Sequence, residues 1–210
     1  RDSVASRGLG DVYKRQGVDP NFGAGGGFGV RYVESDPHID YEENIKGLAG
    51  EIKNMCSELG IAQPRILMEP GRSIVADAGM TLYSVGTLKE ITGYKNYVSI
   101  DGGMADNPRY ALYQSDYEIV CANKAAEERN NIVTVAGKCC ESGDLIQENT
   151  KLQPVKAGDT LAVLSTGAYN YSMASNYNRI PRPAVVMVKD GEARVVVKRE
   201  TYEQITANDI

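Results

Sequence analysis

The chain has 210 residues, of which 42% are hydrophobic and 24% charged, and its net charge is -5. That length suits one large domain or two small ones, and the composition is that of an ordinary globular protein. With no basic run there is no footprint for nucleic acid, and no apolar stretch reaches the ~20 residues of a membrane span.

The single histidine, His38, follows Pro37 and is expected in a loop. One histidine cannot build an H-E-x-x-H zinc site, and no G-x-S-x-G elbow supports a serine triad. Cys56, Cys121, Cys139 and Cys140 form no C-x-x-C pair, so no metal site is expected. Adjacent cysteines suit a disulfide framework badly. Reduced thiols in a cytoplasmic protein are the simplest reading.

In chain order, residues 1–16 carry four basic and two acidic residues with no sustained period, no apolar core and no initiating Met. They are expected to be a non-native leader, with a native flexible segment as the alternative; a signal peptide is excluded. Residues 18–30 read as a turn, a Gly-rich loop and an apolar exit. Residues 39–60 read as a helix, with Ile39, Ile45, Leu48, Ala49, Ile52, Met55, Cys56 and Leu59 at 3-4 spacing and Gly60 as the stop. Residues 65–69 read as a short strand. Loop, helix, strand and second loop make the pattern of a β/α repeat.

After about residue 79 the character changes. Residues 80–91, 95–101, 132–137, 160–165, 184–188 and 193–200 are short runs rich in Val, Ile, Thr and Tyr between turn residues. They predict a mainly antiparallel β domain of five to eight strands. Lys189-Asp190-Gly191-Glu192 predicts a hairpin turn, and a short helix is expected over 202–207. The boundary is placed near 79–88, giving domains at 17–80 and 81–210.

Two loops carry the first chemical signal. In Gly23-Ala24-Gly25-Gly26-Gly27-Phe28-Gly29 the backbone can turn sharply and aim N–H groups at an anion. In Glu69-Pro70-Gly71-Arg72 a glycine permits close approach and an arginine can fork onto phosphate or carboxylate. Each is equally readable alone as an ordinary turn. Together, after successive β/α strands, they sit where a β/α barrel keeps its ligand loops.

With these two loops, three further stretches, 101–113, 137–144 and 167–178, complete a resemblance to the alanine-racemase-like (fold type III) pyridoxal-phosphate-dependent decarboxylases, and among them to the diaminopimelate decarboxylases. It runs from about residue 20 to the end, with the five motifs in the family's order. It implies the C-terminal part of an α/β barrel followed by a mainly antiparallel β domain. It implies pyridoxal 5'-phosphate as cofactor, and meso-2,6-diaminopimelate as the substrate converted to L-lysine and CO2. Gly26, Gly27, Gly71 and Arg72 are then expected at the cofactor phosphate, and Glu69 at the pyridine nitrogen, which a carboxylate keeps protonated. Cys140 is expected to return a proton to the α-carbon, and Glu141 to receive the distal ammonium of the substrate. Arg109 and Tyr113 are expected at the distal carboxylate with help from Arg72, and Tyr169 at both cofactor and substrate. Tyr110 stands where the family commonly has Pro. Cys139, beside the donor, is expected to be a buried strand residue pointing away from it.

The resemblance also implies a homodimer with active sites at its interface. No stretch before Gly17 matches the family's strand bearing the Schiff-base lysine, so this chain is expected to be a fragment, inactive and poorly soluble alone. Two other readings remain open: a relative acting on arginine, ornithine or carboxynorspermidine, and a non-catalytic binding protein of the same fold.

Overall fold

The computed structural model describes residues 21–210. The expected leader lies outside the described residues. The chain divides into two units: Asp36–Val75 with the segment ending at Arg31, and Ala76–Ile210 with Tyr32–Ser35.

The first unit is one β-α-β repeat. Strand β1 (Asn21–Gly25) pairs in parallel with β2 (Arg65–Met68), and helix α1 (Tyr41–Leu59) lies between them in sequence. The ends of α1 follow from local chemistry. The Asp40 side chain accepts a 2.9 Å bond from the Glu43 amide, and Glu42 and Glu43 put negative charge in the first turn. Gly60 takes the left-handed conformation at φ 63° and stops it. Only Cys56 on the helix is buried, and Ile45, Met55 and Leu59 are exposed, so the 3-4 stripe is wider than the face covered. The Gly-rich stretch differs from expectation in its first half. Asn21–Gly25 is strand because β2 offers it hydrogen bonds, although glycine-rich sequence has low strand propensity.

The second unit is built on a six-stranded sheet in the order β5-β8-β3-β4-β6-β7, with β3 Thr81–Ile91, β4 Lys95–Ile100, β5 Ile119–Cys121, β6 Asn131–Ala136, β7 Leu145–Leu152 and β8 Thr160–Val163. All neighbours are antiparallel except β4 and β6. Strands β9 (Val185–Lys189) and β10 (Glu192–Val197) form a separate hairpin. Its turn places Asp190 and Gly191 at φ 53° and 81°, the twist that a two-residue turn requires. A short helix, Tyr202–Ile205, starts on a capping box between Thr201 and Gln204.

The core of this unit is alternating strand residues: Tyr83 and Val85, Val98 and Ile100, Val133 and Val135, Ile146 and Leu152, Leu161 and Val163. Two strands are absent from the sequence reading. Strand β5 has three residues, too few for a periodic signal, and β7 carries Gln147, Glu148, Asn149 and Lys151, which hide its buried face. Both become strands by pairing with β8 and β6.

Candidate active site

The direction of the strands decides what meets what. Strands β4 and β6 are parallel, and β3 is antiparallel to both β4 and β8, so β4, β6 and β8 all run the same way. Their C-terminal ends lie at one edge of the sheet. The loops leaving that edge begin at Asp101, Gly137 and Leu164, which are the three motif stretches of this unit.

A single carboxylate ties the first two loops together. Asp144 is buried, and its side chain accepts bonds of 2.6 Å from the amides of Met104 and Cys139. A Cβ on Gly103 or Gly137 would lie 2.4 Å or 2.2 Å from its oxygens, so only glycine fits at either position. The first loop is further pinned by the Tyr83 hydroxyl, which donates to Asp106, and by the Gly103 amide on Asp106 at 3.0 Å. Burial raises the Asp106 carboxyl above its ordinary range, and burial followed by that carboxylate raises the Tyr83 phenol. The third loop joins through the Ser175 amide on the Ala105 carbonyl, 2.7 Å.

Arg109 opens the short helix Arg109–Tyr113 and is 6% exposed. Its guanidinium carbon lies 5.4 Å from the Tyr113 ring centre and 5.6 Å from that of Tyr169. Three residues named from the sequence are thus brought together. Arg109 Nη2 reaches Ser115 Oγ at 3.4 Å, its Nε has no hydrogen-bond partner, and no carboxylate among the described residues pairs with it. A buried cation without an anion is costly. Tyr169 takes φ 73° and ψ -36°, a conformation costing a non-glycine residue about 1–3 kcal/mol. Its carbonyl is fixed by the Met173 amide at 2.8 Å and the Ser172 hydroxyl at 2.9 Å, and Asn170 beside it is buried.

Tyr110, the departure from Pro, donates to Glu148 at 2.8 Å, and Glu148 also pairs with Lys95. Burial, then this carboxylate, pushes the Tyr110 phenol up to about 12. The substitution therefore brings its own partner and leaves Arg109 and Tyr113 on one helix.

The Cys139-Cys140 pair departs from expectation. These residues lie in a bend between β6 and β7 rather than on a strand, so strand alternation does not set their directions. Cys139 is nevertheless half-buried and Cys140 exposed. Burial, then Asp144, pushes the Cys139 thiol up to about 11. Glu141 is exposed, and its side chain accepts from the Gly143 amide at 3.2 Å and the Ser142 hydroxyl at 3.4 Å. All four cysteines are free, His38 is exposed in irregular chain, and no metal cluster occurs among the described residues.

In the first unit, β1 and β2 are parallel, so the Gly-rich and Glu69-Pro70-Gly71-Arg72 loops leave the same edge. The Glu69 amide donates to the Gly25 carbonyl at 2.8 Å, and a Cβ on Gly26 would stand 2.4 Å from the Glu69 carbonyl oxygen. Gly27 sits at φ 84°. Gly71 accepts from the Ile74 amide at 3.1 Å, and Arg72 begins the turn of helix Arg72–Val75. Sequence reasoning assigned no role to Asp144 or Asn178. Their signal was a lone Asp after a Gly and an Asn between Tyr177 and Arg179, patterns that any loop shows.

Residues 11–167 match the family described as pyridoxal-dependent decarboxylase, C-terminal sheet domain. The diaminopimelate decarboxylase of Bacillus subtilis (strain 168) is 54% identical over 186 residues, covering 89% of this chain and 42% of that protein. That of Staphylococcus aureus (strain COL) is 52% identical, covering 93% and 47%. The crystal structure of diaminopimelate decarboxylase from M. jannaschii in co-complex with L-lysine aligns with TM-score 0.80 at 32% identity, covering 95% of this chain and 45% of that one. The chain spans less than half the length of the curated relatives it matches. It belongs to the pyridoxal-dependent decarboxylases.

Proposed function

We propose that this chain is part of an enzyme that decarboxylates meso-2,6-diaminopimelate to L-lysine and CO2 with pyridoxal 5'-phosphate. The observation that carries the reading is Arg109: buried, flanked by Tyr113 and Tyr169, and without a carboxylate among the described residues. A substrate with a distal carboxylate supplies the missing charge, and substrates lacking one leave the arginine unpaired. Arginine, ornithine and carboxynorspermidine are disfavoured on this ground. The M. jannaschii diaminopimelate decarboxylase solved in co-complex with L-lysine agrees with the product.

The first unit fits the cofactor's phosphate. Gly26 packs against the Glu69 carbonyl with no room for a Cβ and Gly27 is held at positive φ, so this loop needs glycine at both positions, and Arg72 opens the helical turn that follows Gly71. When bound, pyridoxal phosphate supplies an electron sink for the bond to CO2, and the Glu69 carboxylate keeps its ring nitrogen protonated. Glu141 receives the distal ammonium, Arg109 and Tyr113 the distal carboxylate with Arg72 assisting, and Tyr169 borders cofactor and substrate. Cys140 returns the proton, because its thiol is exposed while that of Cys139 is half-buried and held by burial and Asp144 in the protonated form.

In this reading the enzyme is cytoplasmic and homodimeric, each active site taking Cys140 and Glu141 across the dimer interface. The 17–80 segment contributes the last units of a β/α barrel, and 81–210 the β domain. The test is a protein of the relatives' length carrying these residues, assayed for CO2 and L-lysine. Arg109→Ala should lower kcat/KM for meso-diaminopimelate by at least about 100-fold. Equal turnover of ornithine or arginine by the parent protein would sink the assignment.

A further inference from the structure

The two adjacent thiols are presented differently although no strand separates them. Each of their amides is held by a different side chain. The Cys139 N–H donates to Asp144 Oδ2 at 2.6 Å, and the Cys140 N–H donates to Asn178 Oδ1 at 2.9 Å. The two anchors orient the peptide planes on either side of Cys139 and so set its Cα–Cβ bond, and the Glu141 amide, donating to the Cys139 carbonyl at 2.8 Å, closes a turn centred on Cys140 that sets the direction of the second.

Asn178 is itself built for this. It sits at φ 54° and ψ 27°, the left-handed conformation that asparagine tolerates better than most side chains. Its segment is tied to the site by the Ser175 amide on Ala105, and again by Asn176 Nδ2 on the Ile180 carbonyl at 3.1 Å and on Glu200 at 2.5 Å. The Arg182 side chain holds Glu200 in turn at 3.0 Å, so the loop that carries Asn178 is braced from the far side. Tyr177, the residue before Asn178, has its phenol raised by burial and then by Glu141, Cys139 and Cys140.

We infer that Asn178 is a positioning residue for Cys140: by holding the Cys140 amide against the pull of Asp144 on Cys139, it selects which of two neighbouring thiols faces the reacting carbon. This rests on the reading of Cys140 as proton donor, but the selection of a thiol is measurable without cofactor or substrate.

The experiment uses a protein of the relatives' length carrying these residues, without added cofactor or substrate. Iodoacetamide labelling is followed residue by residue in peptide mass spectra, and amide hydrogen exchange is read at Cys139 and Cys140. The parent should label Cys140 at least about tenfold faster than Cys139, as expected for an exposed thiol beside one with a raised pKa. Asn178→Gly keeps the left-handed backbone and removes the acceptor. It should speed exchange of the Cys140 amide, leave that of Cys139 unchanged, and shrink the labelling preference severalfold. Asn178→Asp keeps the acceptor and adds a charge beside Cys140, Glu141 and Tyr177. It should keep the Cys140 amide protected and leave the labelling preference that of the parent.

Equal labelling of both thiols in the parent overturns the proposal, as does an unchanged preference in Asn178→Gly. If Asn178→Gly does not fold, Asn178→Ala, which also removes the acceptor, decides: an unchanged labelling preference overturns it, as does an unprotected Cys140 amide in Asn178→Asp. In a protein of the relatives' length, Asn178→Gly should lower kcat severalfold with little change in KM. Loss of decarboxylation in the parent itself would count against the functional reading and leave the labelling result standing.

Discussion

The two units hold their loops by different means. In the second, thirteen buried side chains form one cluster, the first two motif loops are joined to each other by the buried Asp144, and the third joins them through Ser175. In the first, α1 buries one residue, and Ile66 and Leu67 of β2 are exposed along with Met55 and Leu59. Its loops rely on backbone geometry instead: parallel strands, a glycine without room for a Cβ, and a cap at each helix end.

The sharpest way to break this contrast is to cut equal side chains from both units. Leu161→Ala, in the core of the second, should cost about 2–5 kcal/mol by denaturant unfolding, whereas Leu67→Ala, 41% exposed on β2, should cost less than about 1 kcal/mol. Equal losses would mean that the first unit is packed as tightly as the second. Next in size is Gly26→Ala. With a Cβ 2.4 Å from the Glu69 carbonyl, it should destabilise the first unit by about 1–3 kcal/mol. Hydrogen exchange should quicken in β1 and β2 and stay unchanged in β6 and β8.

A third test uses acid. Asp159 accepts bonds from Lys124 at 2.7 Å, Asn123 at 2.9 Å and the Lys156 amide at 2.8 Å, and these hold its carboxyl well below the usual carboxylate range. A depressed pKa stabilises the fold above the unfolded value of ~3.9, and that contribution is lost as pH falls toward the folded one. Asp159→Asn should therefore lower the thermal midpoint by a constant amount at neutral pH. The gap to the parent should close below about pH 4; a gap that widens in acid would reverse the assignment. The smallest effect is expected from Tyr110→Phe, which removes the bond to Glu148 and should cost about 0.5–1.5 kcal/mol in the second unit. No loss would mean that Lys95 alone satisfies Glu148.

Much of the local structure was legible in the sequence, because glycine and helix caps leave local marks. Helix α1 was legible from its 3-4 stripe, Asp40 and Gly60, and the β9-β10 hairpin from Asp190-Gly191. The motif residues Arg109, Tyr113 and Tyr169 were named by resemblance. Strands β1, β5 and β7 were not legible, since each owes its conformation to a distant partner. The roles of Asp144 and Asn178 were hidden for the same reason. Each acts on an amide in another loop, Asp144 on Met104 forty residues away and Asn178 on Cys140 thirty-eight away.

By itself, then, the sequence determined which chemical groups are present and which short segments form helix, turn or strand. Those depend on interactions within a few residues. Only the tertiary structure decided that the loops after β4, β6 and β8 meet at one edge, because that follows from strand direction, and strand direction is set by pairing across the chain. It also decided which cysteine is exposed. Side-chain anchors on two amides, rather than the alternation of a strand, turn Cys140 outward and Cys139 in.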